Sequence, residues 1–313
     1  EHALESAPAG EPDDPQPAPK VDILLAKATD ASVDAVDGRV GVTLDSGRIR
    51  LSWPSGPAFP ALAAFDQAQG SFTYNHQNDG RFDIAGAIQA NGLPGPEGGA
   101  LSVKLTDARF ECGLLRQAAA SVASVGLASF LDHSNPRGRF NLDLALASTP
   151  DRSSWEARGS MAPTSLTLNF DATDVAFPAI SGRLEFDGAS GRIDHLQARA
   201  PEWTLSADGA FLRADDKSTH LEAALSLDAA RFAPDLAAIL PGALRQAATD
   251  LAIGVSQRLH VPGLQLRLSI DPQGQLGDLS VDGSAEVDGL TLDPGVLIEN
   301  ANGLIDFSAR RSG

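Results

Sequence analysis

"ISGRLEFDG", residues 180–188, carries the pattern on which the fold turns. Arg183, Leu184, Glu185 and Phe186 alternate wet and dry, and Asp187-Gly188 then breaks the run. Such alternation marks a strand with one apolar face, and Asp-Gly is a hairpin signal.

The same alternation dominates the chain from Val21 onward. "GRFNLDLAL" sets Phe140, Leu142, Leu144 and Leu146 against Asn141 and Asp143. "GLQLRLSI" sets Leu264, Leu266, Leu268 and Ile270 against Gln265, Arg267 and Ser269. "RIRLSW" offers Ile49, Leu51 and Trp53, "WTLSA" offers Trp203 and Leu205, and "LEAALSL" offers Leu221, Leu225 and Leu227. Strands with one dry and one wet face belong to antiparallel sheet. Turn signals are expected at Asp37-Gly38, Ser46-Gly47, Asn78-Asp79-Gly80, Asp187-Gly188, Asp208-Gly209, Asp282-Gly283 and Asp288-Gly289. Only two stretches read as helical. They are "GLLRQAAASVASVGLASFL" (113–131) and "APDLAAILPGALRQAATDLAIG" (233–254), where Pro234 and Pro241 suit first-turn positions.

The opening stretch has relatives within the chain. "QGSFTY" (Gly70), "SGRLEF" (Gly182) and "NGLIDF" (Gly303) all read Gly-x-apolar-x-aromatic, with their glycines 112 and 121 residues apart. "FPAL" at 59 pairs with "FPAI" at 177, "DARF" at 107 with "DAARF" at 228, and "GSMAPTSLTL" at 159 with "GSAEVDGLTL" at 283. Features kept in order at a fixed period signal tandem repeats. The expected organisation is a disordered Pro-, Ala- and acid-rich linker over 1–20 and a first β repeat over 21–135 that ends in a helix. A second β repeat over 136–260 ends in helices, and a truncated third covers 261–313. Each repeat is about 120 residues long. The chain opens on Glu1 without a signal-peptide pattern and stops inside a patterned stretch, so we expect a piece of a longer protein.

Composition narrows the function. The 313 residues are 42% hydrophobic, as a folded chain requires, and only 5% aromatic, too few for stacking platforms along single-stranded nucleic acid. A formal charge of −17 opposes binding to phosphate backbones and to anionic membrane surfaces. Cys112 is the sole cysteine, which excludes an internal disulfide and a Cys-rich metal site. No stretch is long and apolar enough to read as a membrane span.

Chemistry-bearing motifs are absent. His2, His76, His133, His195, His220 and His260 form no i,i+4 pair and no HExxH. No Walker loop, nucleophile elbow or dinucleotide fingerprint occurs. "DPQGQLGD" (271–278) and "DGASGRID" (187–194) lack the carboxylate density of a calcium loop. Asp187, Asp194, Glu202 and Asp208 are acids that a glycosidase could use, but nothing lifts them above wet-face residues. No catalytic residue, metal or cofactor is therefore expected. The outstanding feature is the apolar face, which must be covered by a second layer, by closure, or by an apolar ligand.

"FPAISGRLEFDGASGRIDHLQARAPEWTLSADGAF" (177–211) resembles the repeating unit of the AsmA-like family of envelope proteins, of the TamB and YhdP type. "ILPGALRQAATDL" followed by "LHVPGLQLRLSI" is similar to a helix and strand of the large members. The resemblance implies an all-β fold with minor helices: an elongated, curved antiparallel sheet, a taco-like groove built from tandem repeats. It implies bridge-like lipid transfer and outer-membrane biogenesis, a periplasmic location, and an inner-membrane anchor at the N-terminus that this chain lacks. Phospholipid acyl chains are the expected partners. The candidate groove lining is Leu142, Leu144, Leu184, Phe186, Ile193, Trp203, Leu205, Leu266 and Leu268. The competing readings are a closed-core β-repeat acting as spacer or adhesin, and a carbohydrate-active β-domain.

Overall fold

The computed structural model describes residues 20–24, 31–35, 38–52, 62–74, 77–89, 99–111, 135–151, 155–170, 173–214, 216, 218–232, 234–239, 246, 249–250, 252–271, 276–293 and 296–311. The expected helix over 113–131, Trp53, Cys112 and all of the expected linker except Lys20 lie outside these residues.

The described strands form one sixteen-stranded sheet. They are β1 (Lys20–Leu24), β2 (Ala31–Ala35), β3 (Gly38–Ser52), β4 (Leu62–Tyr74), β5 (Gln77–Gln89), β6 (Ala100–Arg109), β7 (Arg137–Ser148) and β8 (Trp155–Phe170). Then follow β9 (Thr173–Phe177), β10 (Ala179–Asp187), β11 (Ser190–Arg199), β12 (Trp203–Arg213), β13 (Thr219–Ala229), β14 (Gly254–Ile270), β15 (Leu276–Leu292) and β16 (Ile298–Arg311). The short helix α1 (Pro234–Ala238) starts at its proline as expected. Gln246, Thr249 and Asp250 are also helical, Pro241 lies outside the described residues, and the stretch expected to be helical up to 254 gives way to β14 at Gly254.

The order is β1-β3-β4-β5-β6-β7-β8-β10-β11-β12-β13-β14-β15-β16, with β2 on β3 and β9 on β8. It is a long antiparallel meander that rolls into an open, curled sheet. β9 and β10 share the far edge of β8: Phe177 faces Leu166, and Leu184 faces Met161. Pro178 stands at the break between them, where a missing N–H costs the ladder nothing. The stretches containing Gly70, Gly182 and Gly303 lie on β4, β10 and β16. Residue 260, an expected repeat boundary, lies inside β14, and the sheet runs on through it.

The hairpin expected at Asp187-Gly188 forms: Asp187 faces Ser190, and Gly188 takes φ 58° in the two-residue turn. Five other expected turns are not turns. Ser46-Gly47 lies inside β3, Asn78-Asp79-Gly80 inside β5, Asp208-Gly209 inside β12, and Asp282-Gly283 and Asp288-Gly289 inside β15. At Gly80 a Cβ would meet the Thr106 carbonyl oxygen at 2.8 Å, so the glycine makes room for β6. Crowding explains Gly209 and Gly283. A Cβ on Gly209 would meet the Glu222 carbonyl oxygen at 2.5 Å, and one on Gly283 the Phe307 ring at 3.2 Å. Gly289 is needed for a bulge described below.

The main core is asymmetric. Val175, Phe177, Trp203, Leu236, Val255, Leu259, Val287 and Leu290 are buried together where β9 and α1 close over the sheet. Trp203 meets Phe177 edge-on at 5.2 Å, and its indole N–H donates to Asp235 Oδ2 at 2.9 Å. A buried indole N–H needs such a partner, so this bond fixes α1 on the sheet. A smaller cluster joins Leu105, Ala108 and Phe140, with the Phe110 ring 4.5 Å from that of Phe140 and tilted 35° to it. Among the described residues no helix is long and apolar enough to cross a membrane.

Candidate functional site

Residues that face each other across an antiparallel ladder project to the same side of the sheet. Tracing partners from strand to strand therefore shows what each face presents. One row begins Gly70, Phe82, Leu105, Leu142, Met161 and Leu184 on β4 to β10. It continues Ile193, Gly209, Ala223, Leu266, Val281 and Ala309 on β11 to β16. No polar side chain interrupts it. At ~4.8 Å per strand, its contour is roughly 50 Å.

The next row is equally apolar. It holds Ala68, Ile84, Val103, Leu144, Gly159 and Phe186, then Gly191, Phe211, Leu221, Leu268 and Leu279. Phe186 sits between two glycines, Gly159 and Gly191. A Cβ on Gly191 would fall 2.0 Å from Cζ of Phe211, so that ring already occupies the space above the glycine. Aromatic rings laid over glycines keep the face apolar where no side chain projects.

The opposite face is polar at every step but Ala210. Its matching row is Gln69, Asp83, Lys104, Asp143, Ser160 and Glu185, then Arg192, Ala210, Glu222, Arg267, Ser280 and Arg310. Charges pair along it, as in Arg158–Asp187 at 2.7 Å, Arg183–Glu185 at 2.8 Å and Arg267–Glu222 at 3.3 Å. A depression of about 560 Å³ is lined by Asp143, Arg158, Glu185 and Arg192 of the polar face and also by Gly159, Phe186 and Gly191 of the second apolar row.

The nine expected lining residues share one face but not one environment. Leu142, Leu184, Ile193 and Leu266 stand in the first row, and Leu144, Phe186 and Leu268 in the second; all seven are half-buried. Leu205 lies nearer the core, beside Ala198 and Leu227. Trp203 is 3% exposed and belongs to the closed core under α1. Phe82, Leu105, Met161 and Phe211 complete the rows and were not singled out from sequence. The signal for Phe82, Leu105 and Phe211 was the alternation in "RFDIAG", "LSVKLTDA" and "WTLSADGAF", whereas no alternation marks Met161 in "GSMAPTS".

The acids weighed for catalysis are all engaged. Asp187 pairs with Arg158, Asp194 with Arg183 and Arg192, and Asp208 with His195. Glu202 holds Arg231 through two bonds of 2.6 and 2.7 Å, and this raises the Arg231 guanidinium above its ordinary value. Asp194, His195 and Asp208 bring one donor atom each within 4.8 Å of one another, close enough for a metal ion.

Their geometry has a backbone origin. His195 is the extra residue of a β-bulge with φ 46°, and its N–H donates to Asp208 Oδ1 at 2.9 Å. That hydrogen bond is the leading reason why the Asp208 carboxyl titrates below its ordinary value. The same device recurs with no metal-ligating set. Asp107, at φ 56°, donates its N–H to Asn141 Oδ1 at 2.9 Å, and Gly289, at φ 68°, to Asn302 Oδ1 at 2.7 Å. An amide oxygen serves as well as a carboxylate, and Arg183 and Arg192 already neutralise Asp194. The cluster is thus a bulge clamp.

No family model matches the chain, and no curated protein or solved structure does.

Proposed function

We propose that this chain is a non-enzymatic segment of an AsmA-like envelope protein that shields or conducts phospholipid acyl chains along the apolar face of its sheet. One observation carries the reading: two adjacent apolar rows cross β4 to β15 without a polar interruption, and Leu142, Leu144, Leu184, Phe186 and Ile193 within them are only half-buried. A soluble single sheet that leaves such a stripe half open gains from an apolar partner. An acyl chain laid across the rows gains about 0.8 kcal/mol per buried methylene. Its headgroup stays in water, so no reactive side chain is required. In this reading the protein works in the periplasm, anchored to the inner membrane through a segment outside this chain, and serves outer-membrane biogenesis.

The packed cluster around Trp203 favours a second reading, a closed-core spacer without lipid. The two separate on Phe186, which lies away from that cluster in the second row. Native mass spectrometry of gently extracted protein should show retained phospholipid, and Phe186→Asp should release it while circular dichroism stays unchanged. Lipid-free wild-type protein, or equal retention by the variant, overturns the proposal.

A further inference from the structure

The apolar face changes character at one margin. One step outside the row of Phe186 and Phe211 lie Gly86, Leu101, Leu146 and Ala157 on β5 to β8. The same step brings Arg213, Thr219 and Ile270 on β12 to β14. Arg213 follows Phe211 by two residues on β12, so it projects to the same side. From β4 to β15, among the described residues, it is the one charged residue of these three rows.

Arg213 is exposed and forms no ion pair with a described carboxylate, whereas Arg158, Arg183 and Arg267 of the polar face all do. The nearby acids are engaged elsewhere. Asp187 holds Arg158, and Asp216 accepts the Ser218 N–H at 2.8 Å and its hydroxyl at 2.6 Å. The backbone around Arg213 is fixed: its N–H donates to the Ala189 carbonyl oxygen at 2.7 Å, and the Ala214 N–H to that of Ser218 at 2.8 Å. The opposite margin differs, because β9 and α1 close over the sheet there around Trp203.

Length fits one ligand between these margins. Going from Arg213 towards Trp203, the apolar side of β12 presents Phe211, Gly209, Ala207 and Leu205. At ~3.4 Å per residue, Phe211 to Leu205 spans roughly 20 Å. The hydrocarbon core of a bilayer is about 30 Å thick for two leaflets, so one acyl chain needs about 15 Å.

We infer, building on the acyl-chain reading above, that Arg213 is the headgroup anchor of this face. Its guanidinium binds the phosphate of a phospholipid whose acyl chains lie along β12 towards Leu205, and the Thr219 hydroxyl beside it offers a second donor. A planar guanidinium matches two phosphate oxygens at once. The pair forms at the wet margin, so the phosphate keeps most of its water and the desolvation cost is small. Charge at one margin and a closed core at the other give every bound lipid the same orientation.

The test offers the full chain neutral-detergent micelles holding equal amounts of dioleoylphosphatidylglycerol and dioleoylglycerol. The two share their acyl chains and differ in the phosphate-bearing headgroup. Native mass spectrometry reads the ratio retained. Arg213→Gln should lower the ratio of phospholipid to dioleoylglycerol roughly three- to tenfold while dioleoylglycerol retention holds. Arg310→Gln, which removes a cation from the polar face, should leave the ratio at its wild-type value. Both arginines are exposed, so circular dichroism of both variants should match wild type. A ratio unmoved by Arg213→Gln, an equal fall in Arg310→Gln, or a wild-type preference abolished by millimolar inorganic phosphate overturns the inference. Dioleoylglycerol retained in those cases leaves the acyl-chain reading standing, whereas wild-type protein that retains neither lipid overturns both.

Discussion

Replacing Gly182 and Gly303 by alanine in parallel tests the bulge geometry. The two glycines hold the same place in "ISGRLEF" and "ANGLIDF". At Gly182 φ is 92°, and the new Cβ would stand 2.3 Å from the His195 carbonyl oxygen. That oxygen belongs to the bulged backbone of β11 and cannot swing away like a flexible side chain. The unfavourable φ costs about 1–3 kcal/mol, and separating the strands adds about 1–3 kcal/mol. We therefore expect Gly182→Ala to destabilise the sheet by roughly 2–6 kcal/mol. Gly303 has φ 155° and open space, so only a backbone cost of about 1 kcal/mol remains. Urea unfolding followed by tryptophan fluorescence and far-ultraviolet circular dichroism gives both values, with unchanged slope as the sign that the same transition is measured. Equal costs, or a Gly182→Ala cost below about 0.5 kcal/mol, would refute the bulge geometry.

Three further outcomes are expected. Trp203→Phe keeps the ring against Phe177 but leaves Asp235 without its indole donor; urea midpoints should report a loss of about 1–3 kcal/mol. Asp208→Asn keeps an acceptor for the His195 N–H, as Asn141 and Asn302 do at their bulges, so the bulge should persist and at neutral pH only the carboxylate's charge contribution should be lost. Because the folded-state pKa of Asp208 is lowered, its charge contributes stability above the unfolded value of about 3.9 that is lost as pH falls through the folded one. Acid titrations should accordingly show a flatter low-pH limb for Asp208→Asn than for wild type, and an identical limb counts against the clamp. Gly191→Ala should destabilise by displacing the Phe211 ring, and Gly191→Ala with Phe211→Leu should recover part of the loss in the same urea assay.

Alternation by itself determined which residues share the dry face. Side chains of a strand point to opposite sides in turn, so Leu142, Leu144, Leu184, Phe186, Leu266 and Leu268 had to fall together once each stretch was a strand. The Gly-x-apolar-x-aromatic stretches around Gly70, Gly182 and Gly303 likewise lie on strands. Register was beyond the sequence, because cross-strand hydrogen bonds join residues distant in the chain and each bulge slips the ladder by one residue. That slip is why Asp208-Gly209 and Asp288-Gly289 read as turns yet lie within strands: a glycine that makes room for a neighbour or a bulge looks the same in sequence as one that turns the chain. Tertiary packing alone sorted Trp203 into the closed core under α1 and left Phe186 half open between Gly159 and Gly191. Burial depends on what the rest of the chain lays over a residue, and alternation carries no record of that.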